Sequence, residues 1–249
     1  MARVIEEDGI GPDAFLARFQ DAFRAGCSSL GWVWSDDVAE ACGRYCLRVR
    51  EGNARMNLTR ILEPEDMAVK HVLDSLAVAR TVPGWVDGGR VADVGTGAGF
   101  PGIPLGIALP AIDLTLVDAL RKRLDFVKEA SPVPCAIVHA RAEDAGRDRA
   151  LREQFDGVVA RALAPLPILL EWCAPLVRPG GVLVAMLGPQ SQGEGAPRPL
   201  GLDLQAEDRL VLPDAEGSAR VLRVYRKVSA TPARYPRRPA EIKERPLGE

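Results

Sequence analysis

Residues 91–102, V-A-D-V-G-T-G-A-G-F-P-G, constrain this chain more than any other stretch. The apolar run 91–94 reads as the end of a buried strand. Glycines at 95, 97 and 99 follow, and then a helix with Pro101 in its first turn. Glycine permits positive φ and lets a ligand lie against bare backbone. A strand, a tight glycine loop and a helix in succession form the ligand-binding corner of an open α/β sheet.

Two ligand classes compete for that corner. Gly97-x-Gly99-x-x-Gly102 fits the dinucleotide fingerprint, which aims helix N–H groups at a pyrophosphate. Pro101 removes one of those donors, and Asp93, two residues before the first glycine, sets an anion beside the loop. Both features disfavour a phosphate and tolerate a cation. The spacing Asp93-x-Gly95-x-Gly97-x-Gly99 resembles the first motif of class I methyltransferases, whose cofactor S-adenosylmethionine carries an ammonium and a sulfonium.

The chain has 249 residues, enough for one domain with an appendage, and buries about three quarters of its unfolded surface. Its five cysteines include no C-x-x-C pair, and Cys42 and Cys46 share a helical face; free thiols in a reducing compartment are expected. No signal-peptide core or membrane-spanning run is seen, so the expectation is a cytoplasmic protein without a membrane partner. The net charge is −2, but residues 220–245 carry nine lysines and arginines against two glutamates. Such a local patch can hold nucleic-acid phosphates on an acidic protein.

Along the chain, Phe15, Phe19 and Phe23 stand four apart on an amphipathic helix over 12–29. Ser35 and two acids open a second helix, with Val38, Cys42, Tyr45, Cys46 and Val49 on one face. A third helix opens at Pro64. Val69, Val72, Leu73 and Leu76 face inward, while Met67, Lys70, His71 and Asp74 share the other face. His71 and Asp74, three apart, are within mutual hydrogen-bonding reach.

The next strand, 114–117, ends in Asp118, 19 residues beyond Gly99, where an acid can bind both hydroxyls of an adenosine ribose. Strands are expected at 135–138, 155–159 and 182–187, and a helix over 166–177. Cys135 reads as core. Residues 188–203 read as a loop, 210–212 and 219–228 as a closing antiparallel pair, and 231–246, with its prolines, as an extended tail. The fold class is α/β. The closing pair resembles class I methyltransferases, and the expected architecture is their Rossmann-like, seven-stranded, mostly parallel sheet with an N-terminal helical extension. The domains are expected at 1–60 for that extension, 61–230 for the methyltransferase domain and 231–249 for a basic, proline-rich tail.

A more specific resemblance follows from N-L-T at 57–59, K-H-x-L-D-S at 70–75, D-V-G-T-G-A-G-F-P-G-I-P-L at 93–105 and L-V-D-A-x-x-K-R at 116–123. R-A-E at 141–143, A-R-A at 160–162 and T-P-x-x-Y-P-R-R-P at 231–239 extend it. Together they resemble the GidB/RsmG family, which methylates one guanine of small-subunit (16S) ribosomal RNA at ring nitrogen 7. The resemblance implies S-adenosylmethionine contacts at Gly95, Gly97, Phe100, Asp118, Ala119, Leu120, Ala142, Glu143 and Arg161. RNA contacts are expected at Asn57, His71, Arg123, Arg234, Arg237 and Arg238. The partner is small-subunit ribosomal RNA or its assembly intermediate, and a monomer is expected.

No metal and no general base are expected, because N7 has an in-plane lone pair and no proton. Orientation would carry catalysis. The N-P-P-Y motif that grips an exocyclic amine is missing after the fourth strand, where 162–165 reads A-L-A-P. The sequence departs from the family pattern at Leu187, where the family has a lysine, at Val221, where it has a histidine, and at 240–243. Leu187 and Val221 remove two polar groups near the active face, which bears on substrate positioning more than on cofactor binding. The alternatives are a small-molecule methyltransferase, which would not need the basic tail, and a non-catalytic S-adenosylmethionine-binding protein. The tail is expected to serve RNA affinity and to leave cofactor affinity alone.

Overall fold

The computed structural model describes residues 10–82, 88–188 and 195–248. The reading of the N-terminal residues 1–8, and that of 189–194 within the expected loop, lie outside the described residues. The described strands form one sheet in the order β3-β2-β1-β4-β5-β7-β6. These are β1 (Gly89–Val94), β2 (Ile112–Asp118), β3 (Ala136–His139), β4 (Phe155–Arg161), β5 (Val177–Leu187), β6 (Leu202–Val211) and β7 (Ala219–Lys227). β7 pairs antiparallel with β5 and with β6, and β1 to β5 pair in parallel. β1 lies between β2 and β4, so the strand order reverses there, and ligand crevices open at such points beyond the strand ends.

Side chains along a strand alternate between faces, and here both faces are buried. Val91, Leu114, Leu116, Val159 and Val184 face one cluster, shared with the helices α1 (Pro12–Leu30) and α2 (Asp36–Asn53). Ala92, Val94, Val117, Val158 and Ala185 face the other, which includes Leu166, Leu169 and Leu170 of α8 (Leu166–Cys173). The phenylalanines of α1 stack at 6.4 Å, and the Ser35 hydroxyl caps α2 by accepting from the Val38 N–H at 3.3 Å. The cysteines are free, and Cys135, half-buried at the entry to β3, packs against the core.

Several segments differ from expectation. The helix opened by Pro64 is not uniform: α3 (Pro64–Asp66) passes through a π turn (Met67–Leu73) into α4 (Asp74–Thr81). The wider i→i+5 winding changes the helical phase. Met67, His71 and Asp74 are buried rather than solvent-facing, and His71 and Asp74 still line a cleft together with Lys70. β6 begins at Leu202, so part of the expected loop is strand. Its side chains are mostly exposed, so the alternation of Leu202, Leu204 and Ala206 with Asp203, Gln205 and Glu207 marks an edge strand with little buried face. The tail is not extended throughout: α9 (Pro239–Glu244) forms near its end, with Ile242 buried. The remaining helices are α5 (Gly102–Ala108), α6 (Arg121–Ala130) and α7 (Ala142–Ala145).

Candidate active site

Two clefts meet at the carboxyl ends of β1, β2 and β4. The first, about 300 Å³, is lined by Gly95, Asp118, Ala119, Leu120, Arg123, Ala142, Glu143, Leu163 and Trp172 among others. The second, about 430 Å³, is lined by Ile61, Lys70, His71, Asp74, Arg161, Met186, Leu187 and Arg220 among others. Ala162 belongs to both walls. Its φ of 52° places a non-glycine residue in the left-handed region, a conformation concentrated at functional sites.

The glycine loop is held from beneath. Asp93 is fully buried, and its Oδ2 accepts from the Thr96 hydroxyl at 2.6 Å and the Gly102 N–H at 2.8 Å. The first N–H of α5 is therefore committed to a carboxylate. Desolvation pushes the Asp93 carboxyl up to about 6, against those two hydrogen bonds. The spacing sets Asp93 beside the loop, and the structure makes it the fastener of that loop. The Gly95 and Thr96 N–H groups donate to the Val117 carbonyl, at 2.8 and 3.2 Å. Gly99, at φ +83°, has no room for a Cβ, which would collide with the Tyr45 hydroxyl. That hydroxyl donates to the Ala98 carbonyl at 2.8 Å, tying α2 to the loop.

Asp118 sits at the end of β2 on the first cleft. Its two oxygens accept from the Gly97 N–H at 2.9 Å and the Leu120 N–H at 2.8 Å. Each carboxylate oxygen has two lone pairs, so capacity remains for ligand hydroxyls. Ala119 is fixed by His139, whose Nε2 donates to its carbonyl at 3.1 Å. Six of the nine expected cofactor contacts thus line this cleft: Gly95, Asp118, Ala119, Leu120, Ala142 and Glu143. Gly97 bears on it through its bond to Asp118.

Phe100 and Arg161 belong to the other side. The Phe100 ring is buried, with Tyr45 edge-on at 5.7 Å and His71 stacked on it. Arg161 lies over Phe100 at 5.7 Å and donates to Asp74 Oδ2 at 3.0 Å, the Lys70 carbonyl at 3.2 Å and His71 Nδ1 at 3.4 Å. His71 and Asp74 are therefore joined through the guanidinium, which bonds to both. Arg220 pairs with the remaining Asp74 oxygen at 3.3 Å. Asn53 shapes the adjoining loop, its Oδ1 accepting from Leu58 and Thr59 N–H groups at 2.7 and 2.9 Å. The Thr59 hydroxyl meets His71 Nε2 at 2.9 Å.

Of the expected RNA contacts, Asn57, Arg234 and Arg238 are exposed, and Arg123 lines the first cleft. His71 is buried in the network just described. Arg237 is bound to the buried carboxylate of Glu171 at 2.7 Å. Sequence reasoning misses Arg220, Leu163 and Trp172. None lies in a spacing motif, and each reaches the site only through the folded sheet and α8.

A β1–glycine loop–α5 corner at the switch point, an acid at the end of β2 and a reversed β7 inserted beside β5 define a class I methyltransferase. A sequence model of the GidB family, described as rRNA small subunit methyltransferase G, matches residues 39–218. Relatives carrying the name ribosomal RNA small subunit methyltransferase G agree. One from Desulfitobacterium hafniense is 44% identical over 86% of this chain and 91% of its own length. One from Symbiobacterium thermophilum is 42% identical over 92% and 98%. One from Alkaliphilus metalliredigens is 39% identical over 89% and 96%. The chain belongs to the GidB family.

Among the described residues no helix is long and apolar enough to cross a membrane, and no group of three or more His, Cys, Asp and Glu side chains could hold a metal ion.

Proposed function

We propose that the protein methylates N7 of a guanine in small-subunit ribosomal RNA, with S-adenosylmethionine in the first cleft and the target base in the second. The observation that carries this reading is the shared wall at Ala162, which brings a cofactor-sized cavity and an acceptor-sized cavity into contact.

The first cleft suits S-adenosylmethionine. Asp118 offers free lone pairs to ribose hydroxyls. Ala142, Leu163 and Trp172 offer apolar surface to the adenine, and the open backbone at Gly95 faces the methionine end. The commitment of the first α5 N–H to Asp93 speaks against a pyrophosphate ligand. When bound, the cofactor supplies a methyl group on a positively charged sulfur.

The chain's own residues orient rather than exchange protons. His71 is held neutral, with burial and then the Arg161 charge pushing it down to about 3. Both of its ring nitrogens are engaged within the protein. It is thus poorly suited to act as a general base, and guanine N7 needs none. Arg161, Arg220 and Lys70 give the second cleft a cationic rim, with Asp74 holding the two guanidiniums in place. Leu187 adds an apolar contact where the family carries a lysine.

Radiolabelled methyl transfer to small-subunit RNA or an assembly intermediate, followed by nucleoside mapping, tests this. The expected product is 7-methylguanosine alone, with a short single-stranded oligonucleotide a poor acceptor. A folded RNA is expected to be needed because phosphate contacts position RNA without specifying a base. Label on cytosine, or only on small molecules, overturns the reading.

A further inference from the structure

The floor of the first cleft is built on strand ends and is fixed by the sheet. Its outer wall is not. Ala142 and Glu143 belong to α7, a helix of four residues, and Trp172 to α8. A single helical turn is unstable by itself, because nucleation costs more than one or two hydrogen bonds return. Something else must hold it.

The C-terminal segment does so at several points. Glu171, adjacent to Trp172, is completely buried, and its carboxylate accepts from the Arg237 backbone N–H at 2.7 Å, from Nε at 2.9 Å and from Nη2 at 2.7 Å. Arg147, just after α7, donates to the Pro236 carbonyl at 2.8 Å. Arg152 bridges the two segments, donating to the Gly146 and Tyr235 carbonyls, both at 2.9 Å, and to the Thr231 carbonyl at 2.7 Å. Glu153 accepts from the Thr231 N–H at 2.7 Å. A Cβ placed on Gly146 would lie 3.2 Å from the Trp172 carbonyl oxygen and 3.3 Å from Pro236. The end of α7, the end of α8 and the tail therefore meet at one place, behind the cleft wall.

We propose that residues 231–245 are a strap, and that Arg237 is a positioning residue that holds the α7–α8 wall and thereby sets affinity for S-adenosylmethionine. This rests on the cofactor reading of the first cleft. Arg237 acts through Glu171, and neither side chain lines the cleft. A bidentate guanidinium–carboxylate pair fixes distance and plane together, which a lysine ammonium cannot do. The basic tail, expected from sequence to serve RNA alone, thus also has a cofactor-side role.

The test uses the full-length chain with two variants, Arg237→Lys and Arg147→Ala. The second removes an exposed side chain and leaves no buried charge unpaired. S-adenosylmethionine binding is measured by calorimetry, and KM for the cofactor and kcat are measured on small-subunit RNA. For Arg237→Lys, Kd and KM are expected to rise by about tenfold, the scale of a misplaced binding wall, with kcat at saturation unchanged. Arg147→Ala is expected to shift Kd and KM in the same direction by less, with a wild-type melting temperature. Unchanged Kd and KM in both variants, or a fall in kcat alone, overturns the strap while leaving the cofactor reading in place. Failure of the wild-type chain to bind S-adenosylmethionine overturns both.

Discussion

His71 lies flat on Phe100, with ring centroids 4.4 Å apart and planes inclined by 11°. The imidazole is also held at both nitrogens. Arg161 can only donate, so Nδ1 is the acceptor and Nε2 carries the proton, which it donates to the Thr59 hydroxyl. Burial and the neighbouring guanidinium both oppose a second proton. The ring thus locks three separate segments: the N-L-T loop, the π turn and the glycine loop.

That lock has a pH signature. The folded state resists protonating His71 until about pH 3, while an unfolded chain takes up that proton near pH 6.5. Between those values the unfolded state binds more protons, so the His71 contribution to stability rises with pH. It is lost as pH falls from 6.5 towards 3, at up to about 1.4 kcal/mol per pH unit. Asp93 works the other way. Its carboxyl is raised from 3.8 to about 6, so the folded state holds that proton longer and its contribution declines as pH rises through that window. The comparison of wild type with His71→Phe cancels the Asp93 effect. The variant, which keeps an aromatic ring on Phe100, is expected to lose less stability than wild type between about pH 7 and pH 5 in urea unfolding. Equal losses in the two proteins would remove His71 as a source of acid lability.

Asp118 joins the glycine loop to the cofactor cleft. Asp118→Ala is expected to weaken S-adenosylmethionine binding by about 1–3 kcal/mol, the range for a hydrogen bond to a charged group. Part of this loss comes through the Gly97 and Leu120 N–H groups that the carboxylate holds. Asp118→Asn, which retains one acceptor oxygen, should fall between the two. Calorimetry reporting the wild-type affinity for Asp118→Ala would take this residue out of the site.

Arg161→Ala is expected to be destabilising as well as inactivating. The Asp74 side chain is 3% exposed, and the substitution leaves it to Arg220, 3.3 Å away. Removing one member of a buried ion pair costs about 3–5 kcal/mol. The Lys70 carbonyl and His71 Nδ1 lose a donor at the same time. Urea titration measures the first effect and methyl transfer the second. A variant of wild-type stability would mean that Arg220 and water compensate fully at Asp74.

The corner at 91–102 is legible in sequence because its chemistry is local: glycines that need positive φ, an apolar run before them and an acid at the end of the next strand. Gly95, Gly97 and Gly99 do take φ of 76°, 57° and 83°. The second cleft is far less legible. A 3.6-residue periodicity does put Lys70, His71 and Asp74 on one face, and they line this cleft, but it does not show how deeply His71 and Asp74, at and beside the π turn, are buried in its wall. Arg220 and Asp74 are brought together by sheet order, which no spacing rule contains. The start of β6 does alternate, Leu202-Asp203-Leu204-Gln205-Ala206-Glu207, but it follows directly on a glycine- and proline-rich run that reads as loop. The basic tail reads as an extended, phosphate-contacting arm, since charge alone does not reveal a buried partner, and Glu171 sits in an otherwise apolar helix.

The basic tail carries the last prediction. Deleting 231–249 is the direct way to test its RNA role, but it also strips Arg237 from the buried Glu171 carboxylate. An unpaired buried charge of that kind costs about 3–5 kcal/mol. The deletion is therefore expected to lower stability and cofactor affinity together with RNA affinity. The exposed arginines separate the effects. Arg238 immediately precedes α9, and Arg234 lies over the Tyr235 ring at 4.9 Å; neither side chain lines the cofactor cleft. The double substitution Arg234→Ala and Arg238→Ala should leave S-adenosylmethionine affinity and the unfolding midpoint at wild-type values. RNA affinity should fall, and the slope of log affinity against log salt should become shallower by about 1–2, since each neutralised phosphate contributes about 0.7–0.9. Filter binding across a salt series measures this. A slope unchanged from wild type would mean that these two arginines do not touch phosphate, and would leave the tail with its cofactor-side role alone.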